Sequence, residues 1–276
     1  MGARRWLQRG VKAAAVAADG LRRPPDGVVV LIYHRVGGGS SSEVDLPADR
    51  FDQQLAWLVE RGRPIALAEA VEVVAGRRPV PVTTDGGPPV AITFDDGTAD
   101  FAEVAVPLLE RHGVPATLYA ATEFIDEGRA FPGDAPPVSW AALADACATG
   151  LVSVGSHTHR HRLLDRLDPD AVADELDRSI ELIGEQLGTA PVDFAYPKAV
   201  LGSAAARAAV AQRFRSAAVA GTKANPVGAD LQRLARSPIQ RGDAPAHVHR
   251  KADGGMALED QLRRLLNRRR YTGATT

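Results

Sequence analysis

Two short stretches of the 276-residue chain carry side chains whose types and spacing suit metal-assisted hydrolysis. The first is Thr93-Phe94-Asp95-Asp96-Gly97, where two adjacent carboxylates follow an apolar run and a glycine follows them. Successive side chains of an extended chain point to opposite sides, so one carboxylate can ligate an ion while its neighbour faces a water. Taken alone, an acidic turn reads the same way. The second stretch, Ser156-His157-Thr158-His159-Arg160-His161, supplies a partner. His157 and His161 are four apart, and in a helical turn they would share a face with Cβ atoms roughly 6 Å apart. Both imidazoles could then reach one ion, with His159 projecting elsewhere. Two histidines and one carboxylate leave coordination positions open, as in catalytic zinc sites, whereas structural zinc is closed by four protein ligands. Zinc suits such ligands, and cobalt, nickel or manganese fit the same set.

Both stretches sit where a predicted strand gives way to a loop. The apolar run Val28 to Tyr33 ends at His34, and Val90 to Phe94 ends at Asp95 and Asp96 with Gly97 at the turn. Leu151 to Val154 runs into Gly155, Ser156 and His157, and Val192 to Tyr196 is a further strand. Ala116 to Ala121 and Ser216 to Ala220 complete the predicted strands. Helices are predicted between them: one on the spacing of Phe51, Leu55, Leu58 and Val59, one over 67–74, one over 100–111, and one from the N-cap Ser139 to about Gly150. A long helix opens at Asp168-Pro169 and closes at Gly188, and another covers 203–213. Residues 76–89 read as a loop or small hairpin. Alternating strands and helices predict parallel pairing, and without a Gly-x-Gly-x-x-Gly fingerprint they favour an α/β fold of distorted TIM-like barrel type. Barrel chemistry gathers at the C-terminal ends of strands. His34, the Asp95–Asp96 pair, the His157 to His161 cluster and Tyr196 all hold that position, on four separate strands.

The composition, 45% hydrophobic and 24% charged with 33 basic against 34 acidic residues, is that of a globular enzyme and makes no case for nucleic-acid binding. The basic excess is confined to the ends, at Arg4, Arg5, Arg9, Lys12, Arg22 and Arg23 and at Arg263, Arg264, Arg268, Arg269 and Arg270. The chain divides on that basis into a basic helical extension (1–26), a catalytic domain (27–245) and a basic C-terminal tail or helix (246–276). Either end is a candidate for peripheral contact with an anionic membrane, although a solvated helix face is the plainer reading. Residues 11–18 are interrupted by Asp19 and Gly20 before a signal-peptide core develops, which places the expected site of action in the cytoplasm, at or near the inner membrane face. Cys147, the single cysteine, excludes an intrachain disulfide and reads as core filling. The oligomeric state is not legible.

Together these motifs resemble the polysaccharide deacetylase family, carbohydrate esterase family four, whose fold is the NodB homology domain. The resemblance spans about residues 28–240. It rests on TFDDG (93–97) and the His-Thr-x-x-His of His157 to His161, supported by LIYHRV (31–36), HGVPATLY (112–119) and FAYP (194–197). It implies a distorted (β/α) barrel, one divalent metal, zinc first, held by Asp96, His157 and His161, and Asp95 as general base. Many relatives protonate the leaving amine with a Leu-x-His near the C-terminus, but no such motif follows Tyr196. Tyr33-His34 is similar instead to a permuted exopolysaccharide deacetylase subset, which makes His34 the expected acid and leaves His247 and His249 as C-terminal alternatives. The oxyanion donor of the family maps to the backbone after Tyr196 and Pro197, at Lys198. Ala199 follows where relatives carry glycine, and a Cβ is expected to resist a positive φ there. The family's usual arginine in that motif is absent, so nothing in the motif identifies what orients Asp95.

The implied activity is removal of N-acetyl groups from N-acetylhexosamine units of a polysaccharide or glycan precursor, with an acetylated amino sugar as partner. Two alternatives accompany it: the same chemistry on an O-acetyl ester or small acetylated metabolite, and a catalytically silent, metal-containing carbohydrate-binding protein. Retention of Asp95 argues against the silent form.

Overall fold

Val29–Tyr33 (β1) consists of five apolar, fully covered residues, because it is flanked on both sides by parallel partners and covered on both faces. The structure is a computed structural model that describes residues 27–257 and 260. The predicted basic extension over 1–26 and the arginines of 263–270, with the membrane contact expected of them, lie outside the described residues.

After β1 come the short strands β2 (Arg35–Val36) and β3 (Asp45–Leu46), helix α1 (Ala48–Glu60), β4 (Pro64–Ile65), α2 (Leu67–Val74) and β5 (Val90–Asp96). The 76–89 segment carries no strand of its own. A π-helical turn, Phe101–Ala105, leads into α3 (Val106–His112). The sequence pattern predicts one uninterrupted α-helix here. Pro107 lacks an N–H and its ring crowds the carbonyl four residues back, which widens the preceding turn. There follow β6 (Ala116–Ala120), α4 (Thr122–Asp126), α5 (Trp140–Ala148), β7 (Val152–Ser156), α6 (Pro169–Leu187), β8 (Asp193–Ala195), α7 (Ala204–Arg213), β9 (Ser216–Ala220), β10 (Leu234–Pro238) and α8 (Pro245–Ala252).

The strands run β1-β10-β9-β8-β7-β6-β5, all parallel, and β5 returns to pair with β1, closing a seven-stranded barrel. This is the distorted (β/α) barrel the pattern predicts. β4 pairs only with the first residues of β5, Val90 and Ala91.

Period-two alternation separates two cores. Val29, Leu31, Tyr33, Ile92, Phe94, Leu118 and Ala120 pack outward on Phe51, Leu55 and Leu58 of α1 and Leu109 of α3. Each such buried side chain contributes roughly 1.5–3 kcal/mol. Val30, Ala91, Tyr119, Ala195, Ala218 and Leu234 come from six different strands and meet inside the barrel, where α2 joins them through Leu67, Ala70, Val71 and Val74. Along β5 the inward register continues from Ala91 to Thr93 and Asp95, and along β10 from Leu234 to Arg236. Three polar side chains, Thr93, Asp95 and Arg236, are thereby turned into the same lumen.

β10 is absent from the sequence reading. Leu-Ala-Arg-Ser-Pro offers little aliphatic character and ends in proline, so nothing in its local composition reads as a barrel strand. Helix α6 follows the pattern closely: the Asp168 side chain accepts from the Ala171 N–H at 2.8 Å, Pro169 occupies its first turn, and Gly188 ends it at φ 70. α8 packs against the barrel: Val248 and Ala252 join the outer core, and the Lys251 Nζ donates to Asp243 Oδ2 at 2.8 Å, both side chains fully buried.

Candidate functional site

The C-terminal ends of β5 and β7 bring together Asp96, His157 and His161, whose candidate ligand atoms all lie within 4.8 Å of one another. Asp96 Oδ1 is 3.7 Å from His157 Nε2 and 3.4 Å from His161 Nε2. The His157 Nδ1–H donates to the Ala195 carbonyl at 2.7 Å, which leaves Nε2 as the unprotonated nitrogen, the one that faces Asp96. Burial lowers the His157 pKa against the pull of Asp95 and Asp96, and burial brings His161 down to about 3 despite Asp96. Both rings are thus neutral, as metal ligation requires. Two imidazoles and one carboxylate around one point, with their donor atoms uncommitted to protons, fit a divalent ion.

The two histidines do not reach this arrangement through a helical turn. His157 to His161 is irregular backbone, with Thr158 at φ 67 and His161 at φ 56, and the rings meet with centroids 4.9 Å apart. Left-handed backbone at residues with a Cβ costs about 1–2 kcal/mol each, and it persists only where neighbouring contacts over-determine it. Asp96 is also left-handed, at φ 77, so its carboxylate swings off the strand toward the histidines. His159 turns away, its Nδ1 3.0 Å from Thr122 Oγ1.

Asp95 stays in strand register and points into the lumen, where Arg236 of β10 grips it with two bonds, Nη1 to Oδ1 at 2.6 Å and Nη2 to Oδ2 at 2.9 Å. Arg236 is fully buried. Its Nη1 also donates to Thr93 Oγ1, whose hydroxyl donates on to the Leu31 carbonyl. Burial pushes the Asp95 carboxyl up, but the Arg236 charge, His157, the Arg236 hydrogen bonds and His34 together bring it down to about 2. Arg236 fills the place of the arginine missing from the third motif. The signal for it in the sequence is faint: a lone arginine two residues after Leu234, on the face that Leu234 buries.

His34 joins β1 to β2 at the same mouth, and its charge favours the ionised forms of both Asp95 and Asp96. Buried Asp100 fixes the residues that follow it, accepting from the Val36 N–H at 2.7 Å and from Arg35 Nε at 3.2 Å. The C-terminal histidines have other surroundings: the His249 ring stacks on Trp57 with centroids 4.0 Å apart, and His247 Nδ1 accepts from the Ala244 N–H.

Tyr196 does not present its side chain to the mouth. Its ring is buried edge-on against Phe194 among Leu164, Val172 and Leu176, and its N–H is committed to the Ala218 carbonyl. Pro197 is buried beside it, and Lys198 is exposed, close enough to His161 for its charge to oppose protonation of that ring. Lys198 and Ala199 sit at φ 54 and φ 55. Ala199 therefore adopts the positive φ that its Cβ was expected to resist, with its N–H bonded to the Tyr196 carbonyl at 2.9 Å and the Val200 N–H to that of Pro197 at 3.2 Å. Cys147 is half-buried against the outer core, away from these residues.

Residues 83–216 match the family model described as polysaccharide deacetylase, a span that holds TFDDG and both histidines and leaves out His34 and Arg236. The chain is 26% identical over 176 residues to YxkH of Bacillus subtilis (strain 168), a protein named as a polysaccharide deacetylase. That alignment covers 63% of this chain and 57% of the relative, so the chain matches little more than half of the relative's length. Among solved structures, IcaB from Ammonifex degensii superposes with a TM-score of 0.71 at 27% identity, covering 83% of this chain and 96% of that one. The Streptococcus pyogenes deacetylase PplD, solved with acetate, shares the fold at a TM-score of 0.70 and 20% identity, covering 83% of this chain and 99% of its own. The closed barrel, the two motifs and the clustered side chains agree with these likenesses, which together support a polysaccharide deacetylase of NodB type.

Proposed function

We propose that this protein is a metal-dependent hydrolase that removes N-acetyl groups from N-acetylhexosamine units of a polysaccharide or glycan precursor. The observation that carries the reading is the Asp96, His157 and His161 triangle beside a separate, arginine-held carboxylate, Asp95, that lies 4.0 Å from His157 Nε2. A divalent ion held by Asp96, His157 and His161 would supply Lewis acidity toward the acetyl carbonyl and would acidify a water, and Asp95 is the base placed to take that water's proton. Arg236 keeps Asp95 ionised and aimed, the state in which it accepts that proton. The Lys198 N–H, presented at the mouth by the left-handed turn after Pro197, is the backbone donor for the developing oxyanion. His34 delivers a proton to the departing amine. A silent binding protein has no use for a buried arginine and carboxylate pair beside its metal ligands.

Incubation of the metal-loaded protein with a panel of acetylated glycans tests the reading. Loss of the mass of an acetyl-for-hydrogen exchange from N-acetylated but not O-acetylated members supports it, and the converse pattern assigns the ester substrate instead.

The ligand assignment carries its own expected result. The purified protein should hold about one divalent ion per chain, since three protein ligands with open positions describe a single catalytic site. His157→Ala and His161→Ala should each empty it and His159→Ala should not, as read by metal analysis. Full occupancy in either of the first two variants overturns the ligand set.

His34 is separable by leaving group. A sugar amine departs only when protonated, whereas an activated aryl alcohol leaves unaided, so the donor matters for one substrate and hardly for the other. His34→Asn is expected to lose most N-deacetylation, keep its metal and keep much of its aryl acetate hydrolysis. The same selective defect in His249→Asn, with His34→Asn behaving as native, moves the acid to the C-terminal helix.

A further inference from the structure

The buried stripe of α6 is Val172, Glu175, Leu176, Ser179, Leu182 and Ile183. Two of its members are polar, in a helix whose inward face has no need of them for packing. Glu175 is wholly buried, a rare state for a carboxylate unless its oxygens are engaged. One oxygen, Oε2, accepts the backbone N–H of Arg160 at 2.7 Å, and Oε1 lies 3.6 Å from the Arg160 guanidinium. The Glu175 carbonyl accepts the His159 N–H at 3.0 Å. One turn later, the Ser179 hydroxyl donates to the Leu176 carbonyl and accepts from Ser156 Oγ at 2.6 Å, and Ser156 Oγ in turn receives the Thr158 N–H at 3.2 Å. Three consecutive amides, those of residues 158, 159 and 160, are thus tied to α6 directly or through one hydroxyl.

These are the residues between the two histidines of the site; one left-handed position, Thr158, is among them and the other, His161, follows directly. On its other side the same loop is stitched to α4, where the Thr122 and Glu123 N–H groups donate to the Thr158 and His159 carbonyls. An irregular loop holding two strained residues would relax toward ordinary backbone if its amides were released. Glu175 ties the loop from a side chain that is wholly buried, where no water competes for its acceptor oxygen and the bond is correspondingly stronger than one at the surface.

We infer that Glu175 is a positioning residue that holds the Arg160 amide and so presets His161, and with it the metal site, before any ion binds. The inference rests on the assignment of Asp96, His157 and His161 as metal ligands. It goes beyond that assignment by locating the control of metal affinity on a buried carboxylate that faces neither ion nor substrate.

Glu175→Leu keeps an apolar group of similar size on the buried stripe and removes the acceptor, and Glu175→Gln returns one acceptor without the charge. Zinc affinity is read by competition with a chromophoric chelator, together with the visible spectrum of the cobalt-loaded protein and the unfolding temperature of the metal-free protein. Glu175→Leu is expected to weaken zinc binding by about 10–100-fold and to alter the cobalt spectrum, the usual consequence of losing an outer partner of a ligand. Glu175→Gln is expected to recover most of the affinity. Asp174→Ala, which removes only a surface partner of the Arg160 side chain, is expected to match the native protein. Native affinity in Glu175→Leu, or an equal loss in Glu175→Gln, overturns the inference. A measurement on the native protein stands apart from whether any variant folds: hydrogen exchange at the Arg160 amide should be slow without metal, and exchange as fast as in an exposed loop overturns the preset site. Should the native protein take up no zinc at all, the ligand assignment falls, and this inference with it.

Discussion

Asp95→Asn is expected to retain its divalent ion and to lose turnover by about 10²–10⁴-fold, the range for removal of a general base. The substitution is nearly isosteric, and the three proposed ligands are Asp96, His157 and His161, so metal content should stay native. What changes is the pair with Arg236. An amide offers one acceptor oxygen, and its NH2 group faces an Arg236 Nη donor where a carboxylate oxygen stood, so the two-bond grip cannot re-form. Asp96→Asn is expected to show the other pattern, weakening metal binding first. Metal analysis beside kcat on the same preparations separates the two roles, and equal metal loss in both variants sinks the division of labour.

Arg236→Leu should be the more damaging to the fold. It leaves Asp95 ionised in the lumen with no guanidinium, and breaking a buried ion pair from one side costs about 3–5 kcal/mol. Activity should fall as well, because the carboxylate loses the two bonds that aim it. The pH dependence of stability distinguishes this from simple loss of packing. In the native, metal-free protein the Asp95 pKa is about 2 against a usual value of 3.8, so the unfolded chain binds the proton more readily. The stabilisation, about 2 kcal/mol, is complete above about pH 4 and is lost as the pH falls through 2. Without Arg236 only burial, His157 and His34 act, and burial, the largest of these, raises the folded pKa. The variant's folded state therefore binds the proton more readily than the native folded state does, and its deficit relative to the native protein should shrink as the pH falls. Denaturant midpoints of the metal-free proteins across pH 3 to 7 read this directly. A constant deficit at every pH refutes the charge account.

The features legible in the sequence are those written in local periodicity and local composition. Short apolar runs ending in Asp95-Asp96 and in His157 mark strands that terminate on chemistry, and helical spacing between them requires parallel pairing, so the barrel and its functional end follow. The two motifs also name the side chains that cluster, because Asp95, Asp96, His157 and His161 all follow closely on a predicted strand end, Phe94 or Val154. Tertiary structure decided the rest. Arg236 meets Asp95 across 141 positions of sequence only because the barrel closes, with β1 between β5 and β10 and both side chains on the inward register. No local pattern records that closure, and in isolation a buried arginine in a short strand reads as a polar break. The helical turn expected for His157 and His161 is replaced by left-handed backbone at Thr158 and His161, held by Glu175, whose carboxylate reads in sequence as one more charge on an amphipathic helix. Tyr196 sits at a strand end as the pattern requires, yet its ring faces Phe194 and not the mouth, because which face of a strand is inward depends on what packs against it. Ala199 accepts a conformation that its side chain disfavours, since bonds across the turn outweigh a cost of about 1 kcal/mol. Residue types and spacing thus determined the chemistry available to this chain, and long-range closure of the barrel determined which groups aim it.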